Sequence, residues 1–379
     1  MKADVFLDVC RRHGIDFYTG VPDSQLKGLC SELYARYGTG GKEHIVAPNE
    51  GGAVALCAGH YLATGRPALC YMQNSGLGNA VNPLASLMDP RVYALPCLLV
   101  IGWRGEPGVP DEPQHVRQGI ITPDQLKLLE IPFLILSPEM SGDDFDAAFQ
   151  PLAAALSEGK CAAVLVRKGA LTSDCAPSWA NGQSLKREAA AEIILSAAGG
   201  KDLFVSTTGK LSREVFEIRE RRGQSHEQDF LTVGSMGHAS LIALRLAEER
   251  PDRRVWCLDG DGALLMHLGA LALIGSRRPE NLIHVVINNG AHETVGGMPV
   301  CNREMDIPAL ARAAGYLTVL SADSEETLSD ALSRALSARG PLLLEVRCAC
   351  GARKDLGRPT VPPARNREAF MQFIRSVDE

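Results

Sequence analysis

The hydrophobic positions fall into short continuous runs separated by longer amphipathic stretches, and most amphipathic stretches end at glycine. In the first half the runs at Ile15–Thr19, His44–Ala47, Ala68–Met72, Ala94–Ile101, Phe133–Leu136 and Ala162–Val166 read as buried strands. Between them, helices are predicted at about Ala3–His13, stopped by Gly14, at about Gly52–Thr64, stopped by Gly65, and after Gly78. The second half repeats the plan. Its strands are Leu203–Ser206, Phe230–Val233, Val255–Leu258, Leu282–Ile287, Tyr316–Leu320 and Leu342–Val346, with a crossover helix over Ala263–Ile274. A polar stretch containing Pro, Gly and Ser, Gly169–Gln183, separates the halves. This order predicts an α/β protein of two doubly wound parallel-sheet domains, residues 1–170 and 186–379, joined by a linker at 171–185.

Composition narrows the class. A chain of 379 residues suits two domains, and 45% hydrophobic with 22% charged residues is ordinary for a soluble protein. A net charge of −6 supplies no basic footprint for nucleic acid or anionic membrane. No apolar run is long enough to span a bilayer, and the charged N-terminus does not read as a signal peptide. The eleven cysteines, several inside apolar runs and none in a CxxC pair, read as reduced thiols, so a cytoplasmic location is expected. Cys348-Ala349-Cys350 lacks a second ligand pair and is expected to be structural.

The chemistry gathers where runs end. Gly260-Asp261-Gly262-Ala263 closes one strand, and Asn288-Asn289 closes the next, about 25 residues on. That βαβ unit sets an acid and an amide at the carboxyl edge of a sheet, where open α/β folds bind ligands. Such hard oxygen donors suit Mg²⁺, through the Asp261 carboxylate, the Asn289 side chain and a carbonyl near Ala291. Small residues at Gly260, Gly262 and Ala263 leave backbone N–H groups open to a diphosphate. In the first half, Asn49-Glu50-Gly51-Gly52-Ala53 puts an acid at a strand-to-helix turn.

This pair of elements resembles the fingerprint of thiamine diphosphate (ThDP) enzymes, with the pyrimidine-binding domain first and the diphosphate-binding domain second. The resemblance implies that Glu50 hydrogen-bonds the cofactor's aminopyrimidine N1′ and must be shielded enough to share its proton. It implies too that Gly234 offers a carbonyl to the amino group, that Met236 wedges between the rings, and that Thr207 and Thr208 contact the diphosphate. Tyr18–Ser24, Tyr71–Asn79, Gly102–Gly108 and Asp111–His115 further resemble the short two-domain 2-oxo acid decarboxylases that act on phosphonopyruvate. The implied reaction turns 3-phosphonopyruvate into phosphonoacetaldehyde and CO₂ in phosphonate biosynthesis. Sulfopyruvate decarboxylase is the nearest alternative, followed by a ThDP carboligase and a non-catalytic relative.

A dianionic substrate calls for cations. Arg104 is the first choice for the phosphonate, because a guanidinium binds such oxygens in pairs; Lys27, Gln118 and Arg117 follow. Asp23, Ser24 and His115 are expected to move or hold protons, although Asp23-Ser24 also reads as a helix cap, and Arg104 as a surface partner of Glu106 or Glu112. His292 and Glu293 are expected beside the metal loop. The resemblance finally implies a homodimer or higher oligomer whose sites lie at subunit interfaces, with Glu50 of one subunit acting alongside Asp261 of another.

Overall fold

The computed structural model describes residues 1–176, 179–293 and 296–376. The chain forms two compact units, one of Met1–Ser178 with Thr294–Cys301, the other of Trp179–Glu293 with Asn302–Glu379. The first unit holds six parallel strands: β1 (Tyr18–Gly20), β2 (His44–Val46), β3 (Ala68–Gln73), β4 (Cys97–Gly102), β5 (Phe133–Leu136) and β6 (Ala162–Val166). Their order is β2-β1-β3-β4-β6-β5.

Period-two alternation divides each run between two cores. Leu69, Tyr71, Leu98, Val100, Val164 and Val166 pack on one face, and Cys70, Met72, Leu99, Ile101, Ala163 and Leu165 on the other. Both faces are covered by helices, so the strands carry no polar side and read as unbroken apolar runs. Each fully buried Val, Leu or Ile contributes roughly 1.5–3 kcal/mol.

The second unit repeats the design with β7 (Leu203–Ser206), β8 (Asp229–Leu231), β9 (Val255–Gly260), β10 (Leu282–Asn288), the two-residue β11 (Ala291–His292), β13 (Thr318–Ala322) and β14 (Leu342–Arg347); the two-residue β12 (Met298–Pro299) falls in the part of the first unit that runs from Thr294 to Cys301. The sheet order is β13-β14-β10-β9-β7-β8. Two parallel six-stranded sheets flanked by helices are what the alternating runs predict.

Three details differ from the pattern reading. The first strand pairs only over Tyr18–Gly20, later than Ile15–Thr19, because that is the stretch flanked on both sides by β2 and β3. The crossover after β9 is two helices, Asp261–Met266 and Gly269–Arg277. His267, at φ −134° and ψ 52°, leaves the helical path between them. The strand expected at Phe230–Val233 pairs over Asp229–Leu231. His115 and Gln118 sit on a helix, Pro113–Leu128, whose N1 proline favours its start.

No helix among the described residues is long and apolar enough to cross a membrane. All eleven cysteines are free thiols, eight of them buried.

Candidate active site

In the first unit, Asn49 caps the helix Glu50–Thr64 by accepting a 2.8 Å hydrogen bond from the Gly52 N–H, which fixes Glu50 in the first turn. Glu50 is only 5% exposed. Asn79, on the helix Leu77–Ser86, donates to Glu50 Oε2 at 2.9 Å. Gly76 closes over the same carboxylate, and a Cβ there would come 2.3 Å from Glu50 Oε1. The acid is thus walled in by a glycine and oriented by an amide. The motif reading gave a role to neither Gly76 nor Asn79.

The loop after β1 carries a second buried acid. Asp23 accepts from Gln73 Nε2 at 2.6 Å and from the Gln25 N–H at 3.0 Å. Burial pushes its carboxyl above the usual range, against the opposing pull of Gln73 and the charge of Arg104. A Cβ at Gly102 would lie 2.3 Å from Asp23 Oδ2, so the end of β4 must be bare there.

Arg104 does not stand free. Its Nε donates to Asp111 Oδ2 at 2.7 Å, its Nη2 bonds the other Asp111 oxygen, and its Nη1 reaches Ser24 Oγ at 2.9 Å. The carboxylate fork already holds the guanidinium in bidentate fashion. Glu106 pairs with Arg167 instead, at 2.7 Å. Asn74 ties the loop down by donating to the Arg104 carbonyl at 2.8 Å and to Thr122 Oγ1 at 3.0 Å. Lys27, exposed at the start of the helix Lys27–Tyr37, makes no ion pair among the described residues. His115 is buried, Gln118 half-buried and Arg117 exposed on their helix.

The second unit gathers its candidates at the ends of β7, β8, β9 and β10. Asp261 Oδ1 accepts from the Gly262 N–H at 2.8 Å, and Oδ2 from the Gly290 N–H at 2.7 Å. Asn289 Oδ1 takes the Ala291 N–H at 3.1 Å. Asp261 and Asn289 are 6% and 4% exposed. Burial lifts the Asp261 carboxyl to about 7, although the Gly262 and Gly290 N–H groups pull it down. The ring of His292 lies 3.1 Å, and Met236 Cε 3.4 Å, from where a Gly262 Cβ would stand, so both side chains face the Gly260–Ala263 turn. Desolvation holds His292 down at about 4 and therefore neutral.

Thr208 Oγ1 accepts from the Gly234 N–H at 3.0 Å, joining the turns after β7 and β8. Gly234 and Ser235 have positive φ, 73° and 46°, giving this turn a shape that glycine favours. Lys210 Nζ donates to the Glu293 carbonyl at 3.2 Å.

These groups fit a diphosphate and a hard cation. Thr207 Oγ1 is buried with no hydrogen-bond partner among the described residues, a donor poised for an acceptor that the protein does not supply. Asp261 and Asn289 contribute hard oxygens, and the Gly260–Ala263 turn opens a helix, but its N–H groups are not all open as the glycines suggest: that of Gly260 donates to Asp259 Oδ1 at 2.9 Å and that of Gly262 to Asp261 Oδ1 at 2.8 Å.

Two family models match the chain. Residues 2–128 match the thiamine pyrophosphate enzyme N-terminal TPP binding domain, and residues 207–346 the C-terminal TPP binding domain. Over 378 residues the chain is 36% identical to a phosphonopyruvate decarboxylase of Streptomyces viridochromogenes, covering 95% of this chain and 92% of that one. The chain belongs to the phosphonopyruvate decarboxylase family. It is accordingly a carboxy-lyase that uses thiamine diphosphate.

A second phosphonopyruvate decarboxylase, from Streptomyces hygroscopicus, is 35% identical over 95% of this chain and 90% of its own length. A sulfopyruvate decarboxylase of Methanosarcina acetivorans is 28% identical over 98% and 96%. The decarboxylase family thus aligns across both units, and both contribute candidate groups at strand ends.

Proposed function

We propose that this chain decarboxylates 3-phosphonopyruvate to phosphonoacetaldehyde and CO₂, as a step of phosphonate biosynthesis, with thiamine diphosphate and Mg²⁺. The observation that carries the substrate is the pair of relatives named phosphonopyruvate decarboxylase, which align over nearly the whole chain at 36% and 35% identity. The sulfopyruvate decarboxylase aligns as completely but at 28%. It keeps a sulfonate substrate as the second reading.

When bound, thiamine diphosphate supplies the electron sink that makes loss of CO₂ from a 2-oxo acid feasible. Asp261, the Asn289 side chain and the Ala291 carbonyl would hold the cation. Thr207, Thr208 and the turn of Gly260, Gly262 and Ala263 would hold the diphosphate, the Gly260 and Gly262 N–H groups leaving their present partners Asp259 and Asp261 to do so. Gly234 and Met236 would position the rings. Glu50 would hold a proton against the aminopyrimidine, its carboxylate aimed by Asn79 and shielded by Gly76.

Asp23, with its raised affinity for a proton, would hold or deliver one beside the substrate, helped by Ser24 and His115. With Arg104 engaged by Asp111, the neutral Arg104–Asp111 pair offers the phosphonate little net charge. Lys27 becomes the stronger cation for it, with Arg104 and Gln118 as donors.

Cytoplasmic homodimers or higher oligomers complete the reading, each site made from Glu50 of one copy and Asp261 of another. Mixing Glu50→Gln with Asp261→Asn subunits should then restore activity in hybrids. Subunits that exchange without regaining activity would refute shared sites.

The deciding experiment is aldehyde formation from phosphonopyruvate and sulfopyruvate in parallel, with ThDP and Mg²⁺ added. Preference for phosphonopyruvate, lost in Glu50→Gln, is the expected result. Preference for sulfopyruvate would overturn the substrate and keep the chemistry, whereas turnover of neither would favour a carboligase or a non-catalytic relative.

A further inference from the structure

The polar stretch between the two halves reads in the sequence as a tether, yet its last residues, from Trp179 onward, are built into the second unit. Asn181 splits its side-chain amide between two backbone carbonyls, donating to Asn289 O at 2.9 Å and to Cys348 O at 2.6 Å. Its own oxygen accepts the Gln183 N–H at 3.1 Å, which fixes the amide's orientation. The Cys350 thiol reaches the same Asn289 carbonyl at 3.2 Å. Two residues away, the Arg303 guanidinium lies 3.5 Å over the ring of Trp179. The Arg303 stem passes 3.7 Å from where a Cβ on Gly290 would stand.

These contacts converge on one peptide group, the bond between Asn289 and Gly290. Its N–H donates to Asp261 at 2.7 Å, and its carbonyl is held by Asn181 and Cys350. A peptide is rigid and planar, so pinning both ends fixes its orientation. That plane sets the direction of the Asn289 side chain on one side. On the other it sets the path to the Ala291 carbonyl. These are two of the three groups proposed to hold the cation, and ligands need support from groups behind them to keep their geometry.

We infer that the end of the linker, Trp179–Gln183, is a brace for the metal loop, and that Asn181 is the positioning residue through which it sets cation affinity. The inference rests on Asp261, Asn289 and Ala291 being the cation ligands. Asn181 itself touches neither substrate nor cofactor, so its effect belongs to metal binding and not to the chemical step.

The test is calorimetric titration of Mg²⁺ into the full-length protein with ThDP present, comparing wild type with Asn181→Leu and Asn181→Asp. Loss of a net hydrogen bond to the loop should weaken Mg²⁺ binding roughly tenfold. The aspartate, which presents an acceptor to two carbonyls, should weaken it more. At saturating Mg²⁺, ThDP affinity and kcat should match wild type, and the melting temperature of the metal-free protein should fall by no more than about 2–4 °C.

An unchanged Mg²⁺ midpoint would overturn the inference. So would a fall in kcat at saturating Mg²⁺ that tracks a lower metal-free melting temperature, since that is the mark of general structural damage. Should both Asn181 variants fail to fold, Cys350→Val removes the second donor to the same carbonyl. It should weaken Mg²⁺ binding while Cys350→Ser preserves it; equal midpoints for the two would refute the brace. A wild-type protein that binds neither ThDP nor Mg²⁺ would instead sink the functional reading itself.

Discussion

Cation binding should be linked to a proton at Asp261, and the size of the linkage follows from its burial. The carboxyl is lifted from 3.8 to about 7, burial being the largest cause. A cation needs the ionised form, so proton and metal compete for one site. At pH 8 the group is mostly ionised, whereas at pH 6 roughly nine-tenths of it carries a proton. Apparent Mg²⁺ affinity should therefore fall roughly tenfold from pH 8 to pH 6, about 1.4 kcal/mol.

The sign for stability follows from the same values. The folded pKa lies above the unfolded one, so protonation favours the folded state. This contribution is complete below about pH 4 and is lost as pH rises through 7. Its upper limit is about 4 kcal/mol, from about 1.4 kcal/mol per pKa unit. Metal-free protein should thus lose melting temperature across that window, and added Mg²⁺ should recover more of it at pH 8 than at pH 6. Calorimetry in two buffers of different ionisation heat counts the protons, with nearly one released per ion at pH 6 and almost none at pH 8. Equal affinity at the two pH values, or no proton release at pH 6, would refute the reasoning.

Other substitutions separate the roles of neighbouring groups. Gly76→Ala should drop kcat by roughly a hundredfold with the fold intact by circular dichroism, because a Cβ 2.3 Å from Glu50 Oε1 must displace the carboxylate. Asn79→Ala removes the 2.9 Å hydrogen bond to Glu50 and should cost roughly 1.5–3 kcal/mol, seen mostly in kcat under saturating cofactor. Arg187→Met strands Glu214, which Arg187 now meets with two 2.7 Å bonds in the interior. It should destabilise the protein by about 3–5 kcal/mol in urea unfolding while leaving kcat near wild type.

What was legible in the sequence follows the backbone's periodicities. Buried parallel strands must be apolar on both sides, so the runs ending in Gly20, Gln73, Gly260 and Asn288 announced themselves, and with them the polar residues just past each end. Polar groups inside those runs are harder to see. Asp259 lies within β9 and His284 within β10, their side chains 3.4 Å apart in the core, with Tyr316 Oη 2.9 Å from the other nitrogen of His284. A pattern dominated by Val, Leu and Ile hides such a trio, because its polar groups satisfy one another across strands.

Partners were hidden for the same reason. Spacing along the chain shows which residues reach the carboxyl edge of a sheet, but strand order decides who stands beside whom. Since β1 lies next to β3, Asp23 meets Gln73. Since β10 lies next to β14, Asn288 meets Glu345 at 2.7 Å, and Cys348 and Cys350 arrive at Asn288 and Asn289. The Cys350 thiol therefore bonds the carbonyl of Asn289, a structural role in keeping with the sequence reading, and only the sheet order could have predicted which loop it would reach.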